Sequence, residues 1–446
     1  MREDLIEIKI GAFAKIQNGY AFKSKEYVDK GLRIIRIANV QSGEIIDRDP
    51  RFYPESRLSE FNDYVIEEDD FLISLTGNVG RVGRIDKSLL PALLNQRVGK
   101  LNLKTSNIGK SYLYHFLNSR TFVNQVIQTS KGVAQLNTSS KKIEAIKIPI
   151  APLPEQRAIV AKIEELFSDL DKGIADLKKA QDQLKVYRQA VLKKAFEGEL
   201  TKEWREQQTD LTKGWVEKTI KEVCVNVKVG IVIKPTQYYT DDVENGIPAF
   251  RSANVREFRV NDANWVYFSE EGNIQNKRTQ LNTGDVLVVR SGYPGTSCVV
   301  PEKFKGSNAI DILIATPNPD LITPEFLCTF NNSPFAKGLF SEGSRGVAQK
   351  HLNVGVYSKL NISIPSITEQ KLILKEIESR LTVCDKVEES ITENLEKAKV
   401  LRQSILKKAF EGALLSEAEL EKCKKSPDHE PASVLLERIK KNRPTN

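Results

Sequence analysis

Leu192-Lys193-Lys194-Ala195-Phe196-Glu197-Gly198 returns letter for letter as Leu406-Lys407-Lys408-Ala409-Phe410-Glu411-Gly412, 214 residues later. A repeat of that length means duplicated domains, since solenoid repeats are much shorter. The same offset relates Gly132-Val133-Ala134-Gln135 to Gly346-Val347-Ala348-Gln349 and Glu155-Gln156 to Glu369-Gln370. Upstream, Ala38-Asn39-Val40 matches Ala253-Asn254-Val255, and Gly19 with Lys23 matches Gly230 with Lys234, with the register drifting by a few residues of loop. The 446 residues are therefore two modules followed by a polar tail from about Ser416.

Each module changes texture once. Residues 1–154 mix short β-branched runs (33–40, 71–75, 146–150) with loops and one expected helix over 111–127, a mixed α and β pattern. Residues 155–200 hold a heptad series at Ile163, Leu170, Leu177, Leu184 and Val191, opened by Pro152 and Pro154 and closed by Gly198, which reads as one long helix with a coiled-coil seam. The second module repeats the plan: residues 201–368 are mixed, and residues 369–415 carry Ile377, Cys384, Ile391, Ala398 and Ile405, with Thr368 the expected N-cap. Helices of this length, about 65 Å, are too long for either globular part to bury. The expected fold is α+β, two mixed domains each followed by a long helix, the helices pairing as an antiparallel coiled coil with pseudo-two-fold symmetry. Gly173, Cys384 and Ala398 predict a seam that is close-packed and locally weak rather than uniformly strong.

The charge is uneven. Residues 1–154 hold 23 basic and 17 acidic side chains, whereas each helix holds nine of either sign, so a nucleic-acid surface belongs to the globular parts and the neutral helices suit protein contacts. No apolar run approaches the ~18 residues of a membrane span, and Met1-Arg2-Glu3-Asp4 is unlike a signal peptide, so no membrane association and a cytoplasmic location are expected. Five cysteines, well separated in sequence, read as reduced, buried thiols.

Four loops recur at matching places with donors suited to DNA. They contain Lys23 and Lys234; Arg36 with Asn39 and Arg251 with Asn254; Asn78 with Arg81 and Arg290 with Tyr293; and Lys131, Gln135 and Asn137 with Arg345, Gln349, Lys350 and His351. Arginine reads guanine bidentately, Asn and Gln read adenine, and lysine holds phosphate. Reaction centres are harder to find. Gly109-Lys110-Ser111 lacks the upstream glycine of a P-loop, the glycines of 77–83 are wrongly spaced for a dinucleotide fingerprint, and His115, His351 and His429 lie apart, so neither catalytic nor metal-binding residues are expected. Two other readings stay open at this point: a self-sufficient DNA-modifying enzyme, and a coiled-coil scaffold that binds no nucleic acid.

The entry Ile148-Pro149-Ile150-Ala151-Pro152-Leu153-Pro154-Glu155-Gln156-Arg157, the exit Phe196-Glu197-Gly198-Glu199-Leu200-Thr201 with Trp204, and the ending Glu430-Pro431-Ala432 through Ile439 resemble the specificity subunits of type I restriction-modification systems. The resemblance covers essentially the whole chain. It implies a non-catalytic subunit with target recognition domains at 1–154 and 201–368, each reading half of a bipartite site in double-stranded DNA, while the helices set the spacer. It also implies two modification subunits, which use S-adenosylmethionine to methylate adenine N6, and restriction subunits that need ATP and Mg, with no cofactor in this chain.

Overall fold

Buried, β-branched strands at the centre of each globular part set the architecture. The computed structural model describes residues 5–105, 107–132, 136–208, 214–342 and 352–441. The first domain opens with β1 (Ile6–Lys9) and β2 (Ala14–Asn18), followed by β3 (Leu32–Ile35), β4 (Phe71–Ser74), β5 (Val82–Arg84), β6 (Ala92–Leu94) and β7 (Val98–Leu103). Its main sheet has the order β2-β7-β4-β5, these four antiparallel, with the short strand Gly43–Glu44 added in parallel beside β5, and with Leu101 opposite both Ile16 and Phe71. Every residue of β4 is buried, as a strand covered on both faces requires. A second sheet pairs β3 with β6 in parallel, Ile34 opposite Leu93. The helical stretch expected over 111–127 is two helices, α1 (Lys110–Leu117) and α2 (Arg120–Thr129), because Ser119 Oγ accepts from Phe122 N at 3.3 Å and starts a new helix. Strand β8 (Lys147–Ile150) pairs with β1 and leads into α3 (Leu153–Phe196).

The second domain repeats this plan. After β9 (Val216–Thr219) come β10 (Cys224–Val229), β11 (Ile247–Phe250), β12 (Val286–Val289), β13 (Ser297–Val299), β14 (Asn308–Ala309) and β15 (Ile312–Pro317), with the sheet order β10-β15-β12-β13 and a parallel β11/β14 pair. Helices α4 (Pro324–Asn332) and α5 (Pro334–Glu342) follow, and β16 (Asn361–Ile364) pairs with β9 before α6 (Ile367–Phe410). Ser366, not Thr368, caps α6: its Oγ accepts from Glu369 N at 3.3 Å, one turn in. Gly198 and Gly412 end the two long helices at φ 75° and 78°, the left-handed close that glycine permits.

The chain divides into two units, residues 1–177 with 393–446 and residues 178–392, so each long helix is shared between them. In the first unit Ile159 and Ile163 of α3 join a core with Ile405, Ala409 and Phe410 of α6, while Asp171 pairs with Arg402. In the second, Val191, Leu192 and Ala195 share a core with Ile373 and Ile377, while Arg188 pairs with Asp385 at 2.7 Å and Glu388 at 2.9 Å. Partner numbers fall as α3 ascends, so the helices run antiparallel in both units. Arg188 and Arg402 stand 214 residues apart, as do Asp171 and Asp385, so one ion pair is made twice with the helices exchanging roles. Exposed pairs contribute only about 0–1 kcal/mol each, so these fix register more than strength.

Of the expected seam positions, Ile163, Val191, Ile377, Cys384, Ile391, Ala398 and Ile405 are buried, and Leu170, Leu177 and Leu184 are half-buried. Gly173 corrects the reading of a glycine-tightened seam: it is exposed, and a Cβ there would meet nothing within 4 Å. The polar tail holds two further helices. It folds into α7 (Glu417–Lys424), opened by a reciprocal Ser416/Glu419 cap, and α8 (Ala432–Lys441), whose Leu435 and Ile439 enter the first unit's core. All five cysteines are buried and unbridged, and burial pushes the thiols of Cys224, Cys298 and Cys328 up to about 12, which leaves them unreactive.

Candidate nucleic-acid interface

The loop after β2 begins with a close approach of two backbones. A Cβ on Gly19 would lie 2.3 Å from the carbonyl oxygens of Leu94 and Asn95, so only glycine lets Tyr20 N donate to Leu94 O at 2.9 Å and Tyr20 O accept from Gln96 N at 2.8 Å. Gly230 does the same against Ala309, with Ile231 N donating to Ala309 O at 2.8 Å and Asp311 N to Ile231 O at 3.0 Å. The lysines that follow, Lys23 and Lys234, are exposed; Lys23 stands 3.9 Å from Glu26, and Lys234 adopts a left-handed backbone at φ 45°.

The second loop corrects the sequence reading. Asn39 is buried, and its amide is fully occupied within the domain: Oδ1 accepts from Arg36 N at 2.9 Å, and Nδ2 donates to Ile46 O at 3.0 Å and Arg48 O at 2.9 Å. Asn254 makes the same three bonds at the same sequence offsets, to Arg251 N, Asn261 O and Ala263 O. Both arginines reach thirteen residues ahead, Arg36 to Asp49 O and Oδ2 and Arg251 to Asn264 O at 2.5 Å, where the accepting residue has a positive φ in each case. An amide that spends both of its edges on backbone has none left for adenine. Arg36, Asn39, Arg251 and Asn254 are therefore braces that shape the loop.

The third and fourth loops meet. In the first domain Gly77 N donates to Leu136 O at 2.8 Å, Thr76 bridges to Asn137, and Thr138 N donates to Leu75 O at 2.9 Å. Asn78, Lys131 and Asn137 are exposed there, while Arg81 is half-buried and donates to Gln41 Oε1 at 2.7 Å, which joins the third loop to the second. In the second domain Leu352 N donates to Arg290 O at 3.0 Å, and Arg290 itself is consumed: Nε donates to Leu352 O at 3.1 Å and Nη1 pairs with Asp311. Arg290 thus ties three loops together instead of offering its fork to a ligand. Tyr293, 83% exposed, remains an open aromatic face in that loop. Gln135, Arg345, Gln349, Lys350 and His351 lie outside the described residues.

In the first domain the first loop and the ends of β3 and β4 thus bond to one turn between β6 and β7, and in the second the first loop, the end of β11 and Arg290 bond to its counterpart between β14 and β15. The partner Gln41 and the turn itself escaped the sequence reading, because neither lies in a repeated motif and only topology brings them to the loops. Among the described residues no group of three or more His, Cys, Asp or Glu side chains could hold a metal ion, and no helix is long and apolar enough to cross a membrane.

The fold defines a class of tandem proteins, a duplicated α/β domain carrying polar loops with a long helix after each copy. A family model, the type I restriction modification DNA specificity domain, matches residues 3–179 and again 212–397. The chain belongs to this family, as a specificity subunit, a non-catalytic class; membership selects the reader over the self-sufficient enzyme and over the scaffold without DNA. The EcoBI specificity subunit of Escherichia coli is 28% identical over 458 residues, 99% of this chain and 93% of that protein. Two solved structures share the fold. One, from work on complex assembly and conformational transition of the type I R-M system, has a TM-score of 0.65 at 19% identity, over 92% of this chain and 98% of its own. The other, the HsdS subunit from Thermoanaerobacter tengcongensis, has a TM-score of 0.55 at 18% identity, over 93% and 98%.

Proposed function

We propose that each α/β domain reads one half of a bipartite site in double-stranded DNA, and that α3 and α6 set the distance between the halves. The observation that carries this reading is the repetition of the loop framework: the same glycine approach, the same Arg/Asn brace and the same bond from the residue just past the fourth loop, Thr138 or Leu352, to the end of the third loop's strand, Leu75 or Arg290, are built twice on the same sheet order. Exposed Lys23, Lys131 and Lys234 hold phosphates, and Asn78, Asn137 and Tyr293 face base edges or stack. The neutral outer faces of the helices dock two modification subunits. Those partners bring S-adenosylmethionine for adenine methylation, and restriction subunits bring ATP- and Mg-dependent cleavage. The test is to assemble the chain with its modification subunits, expose the complex to a random-sequence DNA library, and sequence the bound and methylated fragments. A motif of two defined blocks around an undefined spacer is expected; a single continuous motif, or no motif, would overturn the reading.

A further inference from the structure

The turn Asn95-Gln96-Arg97 between β6 and β7 bonds to the first loop and to the ends of β3 and β4. Its backbone is held from several directions: Asn95 N donates to Ile35 O at 3.3 Å, Gln96 N to Tyr20 O at 2.8 Å, Val98 N to Asn95 O at 2.9 Å, and Arg97 O accepts from Leu75 N at 3.0 Å. Asn95 Oδ1 adds a longer contact with Arg97 N at 3.5 Å. The side chains are in the opposite condition. Gln96 and Arg97 are both exposed, and among the described residues neither makes a side-chain hydrogen bond or ion pair.

We propose that Gln96 and Arg97 are a further specificity-determining pair, contacting base edges in the half-site read by the first domain; the inference rests on the function proposed above. A cation that merely neutralises phosphate needs no fixed backbone, and exposed Lys23 and Lys131 on the neighbouring loops supply that charge. Bidentate contact with a base is different. It tolerates little error in position, so it belongs on a backbone locked by the surrounding structure. A long amide and a guanidinium fork side by side on such a turn are the two side chains whose paired donors and acceptors match adenine and guanine in the major groove.

The second domain lacks the pair. At the matching positions stand Asp311, whose carboxylate is held by Arg290, and Ile312, which is fully buried. Leu75 occupies the place of Arg290 in the first domain, so no described residue ties down Gln96 in the same way. The contacts are therefore confined to one half-site, and that confinement makes them testable.

The experiment uses the full chain assembled with its modification subunits and the random-sequence library, comparing wild type with Gln96→Ala, Arg97→Ala and Arg97→Lys. Each alanine variant is expected to relax discrimination at one position of one half-site by about ten- to a hundred-fold, with the other half-site and the spacer unchanged. Arg97→Lys should fail like Arg97→Ala, because a point charge does not reproduce the fork. If Lys restored wild-type behaviour while Ala weakened all sequences alike and lowered the salt slope by about one unit, Arg97 would be a phosphate contact and the inference would fall. It would fall equally if the variants matched wild type. A wild-type complex with no bipartite preference would instead overturn the underlying reading.

Discussion

In the first domain the turn between β6 and β7 presents an amide and a guanidinium to solvent, whereas in the second the matching turn is sealed by the Arg290–Asp311 pair and a buried isoleucine. Beneath this difference the backbone is the same, down to the three bonds of Asn39 and Asn254. The duplication has kept what holds the loops in place and varied what they offer. A protein that must read two different half-sites with one architecture needs that division: rigid framework in common, readout residues free to diverge. The units also differ in how the chain builds them. The second is one continuous stretch, while the first is closed only when residues 393–446 return to it.

That contrast predicts the largest effect. Phe410 is 3% exposed, with its ring 5.2 Å from both Tyr112 and Phe116, so Phe410→Ala should cost the first unit about 3–5 kcal/mol. Phe196, its counterpart against Phe326 and Phe330, is only half-buried, and Phe196→Ala should cost the second unit less. Hydrogen exchange followed by peptide should show protection lost within 5–177 and 393–441 for the first variant and within 178–392 for the second. Equal loss across the chain in both variants would mean that the units are not separate.

The two units should also respond differently to acid. Burial, with Arg402 and Arg84 nearby, holds the His115 imidazole down to about 4; the equivalent position in the second domain is Thr329. Because the folded value lies below the unfolded one of about 6.5, the unfolded state takes up a proton that the folded state refuses. Stability is therefore lost as pH falls from about 6.5 to about 4, by roughly 3 kcal/mol, and the loss stops below that. In His115→Gln this component should vanish, leaving a shallower slope between those pH values in denaturant melts. Parallel wild-type and variant profiles would contradict the assignment.

A smaller effect separates bracing from reading. Asn39→Ala leaves Arg36 N and two carbonyls short of partners, and Asn254→Ala does the same in the second domain; about 1–3 kcal/mol is expected for each, read from thermal melts. A base-reading side chain would lose discrimination without losing stability, so unchanged melts would return both residues to the reading role. The smallest change is a gain. Gly173 is exposed inside α3 with open space around it, while the matching residue of α6 is Val387, so Gly173→Ala should stabilise by about 0.5–1 kcal/mol. A loss of stability would show that the seam does press on that position.

The tandem plan and the long helices were legible in the sequence because both leave periodic marks, one at 214 residues and one at seven. Loop chemistry was not. Arg-x-x-Asn reads as a pair of base donors until the fold shows that Ile46 and Arg48 return within reach of the Asn39 amide, a contact no local pattern announces. Arg290 misled for the same reason, since Asp311 lies a strand away. The break at Ser119 and the cap at Ser366 were hidden by neighbours equally able to serve. The crossed ion pairs were the missed opportunity: the recurrence of Arg188 as Arg402 and of Asp171 as Asp385 was present in the repeat.

We propose that α3 and α6 set the distance between the two half-sites. It is tested most directly by lengthening both helices together, with seven residues inserted after Leu177 in α3 and seven after Thr392 in α6, the points where the two units divide. A whole heptad preserves the seam and adds about 10.5 Å, or about three base pairs of DNA at ~3.4 Å each. Sequencing of the sites methylated by the extended complex should return both original half-sites with the spacer about three base pairs longer, at reduced affinity because the DNA turns between them. An unchanged spacer, or altered half-site sequences, would contradict the account.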